Sequence, residues 1–417
     1  MDYQVFTLPN GIRLLHKPFQ SSITHACIIV NTGSRDEAPG KDGLAHFIEH
    51  LLFKQTAKRN TNQILNRLES VGGDLNAYTT KEYTCIHASL LTPYLERALD
   101  LFEDLVFHST FPLNEMDKEK SVILDEIASY QDQPEEAIQD DFEDLLFAKH
   151  ELGRNILGTN DTVQAISQSD IFEFMKSSYD TSEIIVGVLG NYNFKKLCTL
   201  FTKIFGSLPS NSSSHKRTPV SNYIPVTRED EKSISQTHCV TGNIAYSIHH
   251  PDRTALALLN NILGGNGMTS RLNLEIREKH GIAYTIESSY TPLSDTGIFS
   301  IYFGTDVEKA EKALKLVNRE LKRLREIKLT PTGLYRAKQK FTGQIALGEE
   351  NHLSLIISLS KSVLDHGRAD SLEEVFARIR AVTEDQICGI ANEILDTRSM
   401  TTLIFNPSER DLSEKED

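Results

Sequence analysis

The alternation of apolar and polar positions divides the chain into structural segments from its first residues. Residues 5–8 and 12–16 are short apolar-rich runs flanking Asn10-Gly11, a pair suited to tight left-handed turns, and they predict a β-hairpin. A third apolar run, 26–30, follows. The stretch NTGSRDEAPGKDG after it reads as loop, with Asp42 placed to cap a helix starting near Gly43. Apolar residues spaced by three and four predict helices over 61–71 and 94–107, and the alternating DLNAYTTKEYTCIHASLL at 74–91 predicts one or two strands between them. After Phe111-Pro112 a long helix is expected over 114–130, with acidic helical material continuing past Pro134. This interleaving of helices and strands is the signature of an α+β fold.

The order of elements then recurs. A helix at 254–263, Gly264-Gly265, a helix at 269–279, strands within 283–304 and helices at 307–327 and 331–349 repeat the earlier succession, with PYLERALDLFEDLVF matched by VEKAEKALKLVNREL. Each of these two helices is followed by a Pro-containing turn and another long helix, which predicts two tandem related domains, each a mainly antiparallel sheet packed with helices. The Ser/Pro-rich PSNSSSHKRTPVSNYIP at 209–225 is the best linker candidate, giving domains 1–210 and 226–417 joined by 211–225. The final PSERDLSEKED reads as a solvated tail.

Composition narrows the functional classes. With 39% hydrophobic and 24% charged residues the chain is an ordinary globular one. It has no apolar run near the roughly 18 residues a membrane span needs, and MDYQVFTLPNG lacks the features of a signal peptide, so a cytoplasmic protein without a membrane partner is expected. Five scattered cysteines with no CxxC pair suggest neither a disulfide framework nor a thiolate metal site. The net charge is −14, and residues 1–210 hold −12 of it. That balance disfavours nucleic acid and favours cationic ligands.

The candidate chemistry lies in DGLAHFIEHLLF. On a helix rising ~1.5 Å per residue, His46 and His50 lie on one face about 6 Å apart, with Glu49 beside them. Two neutral imidazoles and a nearby carboxylate are what a hydrolytic zinc centre requires. Burying these groups unpaired on an otherwise apolar helix would be costly, which weighs against a purely structural role. A catalytic zinc also needs a third protein ligand, and MDKEKSVILDEIASY offers Glu119 and Glu126 on one helical face. Spacing leaves either possible.

HFIEHLLFKQT, with SVILDEI beyond it, resembles the insulinase and pitrilysin superfamily of zinc peptidases, most closely bacterial chains related to the mitochondrial processing peptidases. GGNGMTSRLNLEIREKHGIAYTIESSYTPLSDTGIFSIYFGT extends the likeness over nearly the whole chain. The resemblance implies one Zn2+ per chain on His46, His50 and Glu126, with Glu49 as general base and Glu119 as a supporting carboxylate. It also implies that Arg277 and Tyr284 hold the substrate carbonyl and oxyanion, and that Asn76 and Ala77 lie on an edge strand pairing with an extended peptide. Glu136 and Asp140, within the acidic run 135–144, match residues that take up an arginine near the cleaved bond, so peptide substrates of cationic character are expected.

Chains of this length resemble half of a clamshell, and the resemblance implies a homodimer enclosing a chamber for unfolded peptides. Two departures stand out: Gln55 in the family's FKGT, and a glycine segment limited to GGNG. His249-His250 has no carboxylate in helical register and reads as structural. The alternatives are a noncatalytic assembly or peptide-holding protein of the same fold, and a metal hydrolase acting on a non-peptide bond. Retention of the full ligand set weighs against the former, and the edge strand against the latter.

Overall fold

The expected first hairpin forms, and the chain builds two sheets from it. The computed structural model describes residues 3–408 except 214 and 222; residues 409–417 of the expected tail lie outside the described residues. The first sheet contains β1 (Gln4–Thr7), β2 (Arg13–Pro18), β3 (Ile23–Val30), β4 (Asp74–Thr79), β5 (Thr84–Leu91) and β6 (Ile184–Gly190), in the order β1-β2-β6-β3-β5-β4. The second contains β7 (Thr227–Lys232), β8 (Thr237–Ala245), β9 (Ala283–Pro292), β10 (Gly297–Thr305) and β11 (Thr401–Pro407), in the order β7-β11-β8-β10-β9.

The two orders are one topology. β2 pairs with β6 in parallel and β7 with β11 in parallel, and the remaining neighbours are antiparallel. Substituting β2 through β6 by β7 through β11 converts the first arrangement into the second, with β1 as the single extra strand. The recurrence of elements in sequence is thus a recurrence of fold, and the class is α+β.

The expected helices are α1 (Leu44–Leu52), α2 (Thr61–Glu69), α3 (Leu95–His108), α4 (Leu113–Gln131) and α5 (Pro134–Leu146), with Arg253–Leu263, Val307–Glu326 and Pro331–Gly348 in the second half. The helix expected at 269–279 contains a π-helical segment, Asn273–Glu278.

The structure corrects the linear split at 210 and 226 in two segments. One compact unit comprises residues 1–127, 154–218 and 346–371; the other comprises 128–153, 219–345 and 372–417. The reason is that each sheet has two apolar faces. In the first unit one face packs on α1, α2 and α3, while the other presents Cys27, Ile29, Cys85, Ile185 and Leu189 and is covered by Ile356, Val363 and Leu364 of the helix His352–His366. Gly187 permits this close packing, because a Cβ there would lie 2.3 Å from Ser360 Oγ. In the second unit, Val240, Leu403 and Phe405 are covered by Ile138, Phe142 and Leu146 of α5. At about 1.5–3 kcal/mol per fully buried large apolar side chain, such burial outweighs proximity in sequence. Each sheet therefore takes one covering helix from the other half of the chain.

The expected linker is also tied down where it is described. Arg217 forms a two-pronged ion pair with Asp36 at 2.9 Å, and the fully buried Arg35 donates to Thr218 O at 2.7 Å. Residues up to Thr218 belong to the first unit for that reason.

Candidate metal centre

α1 buries Leu44, Phe47, Ile48, Leu51 and Leu52 in the core of the first unit. This fixes the rotation of the helix and turns His46, Glu49 and His50 to its other side. The helix begins after Gly43, whose φ of 93° lies in the left-handed region that side chains disfavour. Asp42 is not the cap. Glu37 reaches in from the loop, with Oε2 accepting from Gly43 N at 3.1 Å and Oε1 from Ala45 N at 2.7 Å. Burial pushes the Glu37 carboxyl well above the usual carboxylate range, against the opposing effect of its two amide donors. Glu37→Ala leaves buried helix-end amides without a partner and is expected to lower the stability of the metal-free protein by about 1–3 kcal/mol. Urea unfolding measures this; an unchanged midpoint would remove Glu37 as the cap.

α4 brings the two candidate glutamates to α1, and they take different places. Glu126 Oε2 lies 3.8 Å from His46 Nε2 and 3.5 Å from His50 Nε2. Glu119 Oε2 instead lies 3.2 Å from His50 Nδ1, while its Oε1 pairs with Lys54 Nζ at 2.6 Å. The Lys54–Glu119 pair thus holds the back of the His50 ring and leaves Nε2 for a ligand, the arrangement by which an outer carboxylate orients a metal-binding histidine.

Ligand atoms of His46, His50 and Glu126 all lie within 4.8 Å of one another, and this is the only such group of three found among the described residues. A tetrahedral zinc with bonds of about 2.0–2.1 Å sets its ligand atoms about 3.4 Å apart, so the observed spacings fit one ion. The electrostatics fit as well. Burial and the neighbouring His50 lower the His46 pKa to about 3, so its imidazole is neutral through the ordinary pH range and keeps a lone pair for coordination.

Glu49 is held apart from this trio. Its Oε2 accepts a hydrogen bond from Thr79 Oγ1 at 2.6 Å, and burial raises its pKa above the usual carboxylate value, with the Thr79 bond opposing. A carboxylate raised toward the working pH is a better proton acceptor for general-base chemistry.

Asn76 and Ala77 lie on β4, which among the described residues forms an edge of the first sheet and pairs with β5 alone. Arg277 and Tyr284 lie in the second unit. The Arg277 guanidinium sits 5.2 Å from the centre of the Tyr284 ring, with its Nε 3.7 Å from Glu278 Oε1, and Tyr284 is 83% exposed. Glu136 also belongs to the second unit, where it lines a cavity of about 250 Å3 with Glu135, Glu143, Glu287 and Tyr302. Asp140 is not among the residues lining it. His249-His250 is outside the trio, and His250 stacks on Tyr246 with ring centres 3.7 Å apart.

Thr79, Lys54, Glu37 and Glu287 are not among the site residues expected from sequence. The signal for Glu287 was present in the alternation of TIESSYT, which puts Thr285, Glu287, Ser289 and Thr291 on one face of β9. Thr79 and Glu37 gave none, because what each contacts is decided by tertiary packing.

Comparison with known proteins adds to this geometry. Residues 14–160 match the insulinase family (peptidase family M16), and residues 165–341 match the peptidase M16 inactive domain. An uncharacterized zinc protease of Streptomyces coelicolor is 34% identical over 408 residues, spanning 95% of this chain and 88% of its own length. An uncharacterized zinc protease of Bacillus subtilis is 30% identical over 406 residues, spanning 97% and 98%. Among solved structures, the peptidase M16 inactive domain from Pseudomonas fluorescens superposes with a TM-score of 0.90 at 21% identity, over 98% of each chain. A protease from Helicobacter pylori gives 0.88 at 23% identity, over 97% of this chain and 99% of that one. Among the described residues no helix is long and apolar enough to cross a membrane.

Proposed function

Because the chain belongs to the insulinase family of peptidases, family M16, we propose that it is a zinc metalloendopeptidase of the inverted HxxEH type. One observation carries the reading: His46, His50 and Glu126 converge with spacings that suit one ion, and Glu49 stands beside them on the same helix turn. Zinc in such a site supplies Lewis acidity, polarising a carbonyl and bringing the pKa of a water toward ~7.

The chain's own groups supply the rest. His46, His50 and Glu126 hold the ion, and Glu119 with Lys54 keeps the His50 ring in place. Glu49 accepts the proton of the attacking water and returns it to the leaving amine nitrogen. Arg277 and Tyr284 donate to the carbonyl oxygen as negative charge develops on it. The open edge of β4 receives an extended peptide through the backbone of Ala77, with the Asn76 side chain beside it, so the side-chain preference should be loose. Unfolded peptides, a homodimeric chamber and a cytoplasmic setting complete the proposal. The central test is digestion of a mixed peptide set with and without a chelator, read by mass. Cleavage that stops with the chelator and returns with zinc supports the reading; no cleavage at any zinc level rejects it.

The carboxylates of Glu136, Glu135 and Glu287 around one cavity support a preference for cationic peptides. Peptides with arginine beside the scissile bond should be cut about tenfold more efficiently than their alanine counterparts, and Glu136→Gln with Glu287→Gln should remove most of that advantage. Comparing kcat/KM for such a pair decides it, and equal values with wild-type protein end the cationic assignment.

A further inference from the structure

The backbone of β4 has two sides, one paired to β5 and one open. Thr80 N donates to Tyr83 O where the two strands meet, which fixes the alternation of the ladder. Asp74, Asn76 and Tyr78 turn their backbone groups toward β5, and Leu75, Ala77 and Thr79 turn theirs to the open edge. Ala77 agrees with this assignment, since its N–H donates to Asn76 Oδ1 at 2.8 Å. At the end of this open row stands Thr79, whose Oγ1 donates to Glu49 Oε2 at 2.6 Å and whose backbone amide faces the same carboxylate.

We propose that Thr79 is a positioning residue: it anchors the Glu49 carboxylate at the end of the open edge of β4, where a peptide added along Leu75 and Ala77 is delivered to the base. This rests on the hydrolase reading above and names the contact that couples strand addition to proton transfer. The chemistry of the contact suits the role. Glutamate has three rotatable side-chain bonds, and a hydroxyl donor on one carboxylate oxygen makes a short charge-assisted bond that selects one arrangement. Threonine is β-branched and stiff about χ1, so the hydroxyl is aimed from a fixed strand and not from a mobile side chain. A misplacement of the base by about 1 Å is enough to cost catalysis heavily.

Valine keeps the shape of Thr79 and removes the donor, whereas serine keeps the donor. The experiment uses the full-length, zinc-loaded protein and its Thr79→Val, Thr79→Ser and Thr79→Ala variants, measuring zinc per chain, melting temperature, and kcat and KM on one fluorogenic peptide. Thr79→Val is expected to keep its zinc and KM and to lose about tenfold to a hundredfold in kcat, with Thr79→Ser close to wild type. In crystals of metal-free Thr79→Val, the Glu49 side chain should occupy more than one rotamer. Should the valine variant melt lower than wild type, Thr79→Ala against Thr79→Ser gives the same comparison of donor absent and donor present. Wild-type kcat in Thr79→Val, a serine variant as slow as the valine one, or a loss confined to KM overturns the role of Thr79. A wild-type protein that cleaves no peptide instead overturns the hydrolase reading, and it does so before any variant is made.

Discussion

Glu49→Gln should retain zinc at the wild-type stoichiometry and lose peptidase turnover by about a hundredfold to ten-thousandfold, the range general-base removal commands. The amide keeps the shape of the carboxylate and can still accept from Thr79 Oγ1 through its carbonyl oxygen. What it cannot do is take a proton from water. Because Glu49 stands outside the trio that faces the ion site, the substitution separates the chemical step from metal binding. Metal analysis and kcat on the same preparation read both halves. A variant that keeps its zinc and still turns over near the wild-type rate would remove Glu49 as the base.

The second large effect distinguishes the two glutamates of α4. Glu126→Gln should abolish stoichiometric zinc binding and peptidase activity together, because its carboxylate is the only one that faces both Nε2 atoms among the described residues. Glu119→Gln should retain the site with zinc affinity weakened by about tenfold to a hundredfold, as removal of an orienting outer carboxylate does. Competition against a chromophoric chelator gives both affinities. The reverse ranking, with Glu119→Gln losing zinc and Glu126→Gln holding it, would exchange the two roles.

Several parts of this architecture were legible from local pattern. The Asn10-Gly11 hairpin, the helix bearing His46 and His50, the strands on either side of Lys81 and the repeated succession of elements all follow from turn chemistry or periodicity within a short window. The topology shared by the two sheets confirms the repeat without any appeal to residue identity. The pairing of Glu119 and Glu126 seven residues apart was readable as well, but it put both on one face and could not rank them. What ranks them is the ring nitrogen each faces, Glu119 at His50 Nδ1 and Glu126 at the Nε2 atoms of both His50 and His46, and that depends on where α4 lies against α1.

What the sequence withheld is long-range. β6 and β11 become central strands of their sheets although each is far in sequence from the strands it joins. α5 and the helix His352–His366 each cover the sheet built mainly by the other half of the chain, because exposed apolar sheet faces demand cover and an amphipathic helix does not encode which face it will meet. Asp42 had the sequence position of a cap, yet the buried Glu37 performs that task from six and eight residues away. Local propensity nominated the nearest suitable side chain, and tertiary packing supplied a better-placed one.

The most direct measurement of the central claim is an anomalous difference map at the zinc edge from crystals of the zinc-loaded protein. One peak per chain is expected, within bonding distance of His46 Nε2, His50 Nε2 and the Glu126 carboxylate, with Glu119 bonded only to His50 Nδ1 and Lys54. A zinc-loaded crystal with no peak there, or with its peak held by other side chains, would contradict the account.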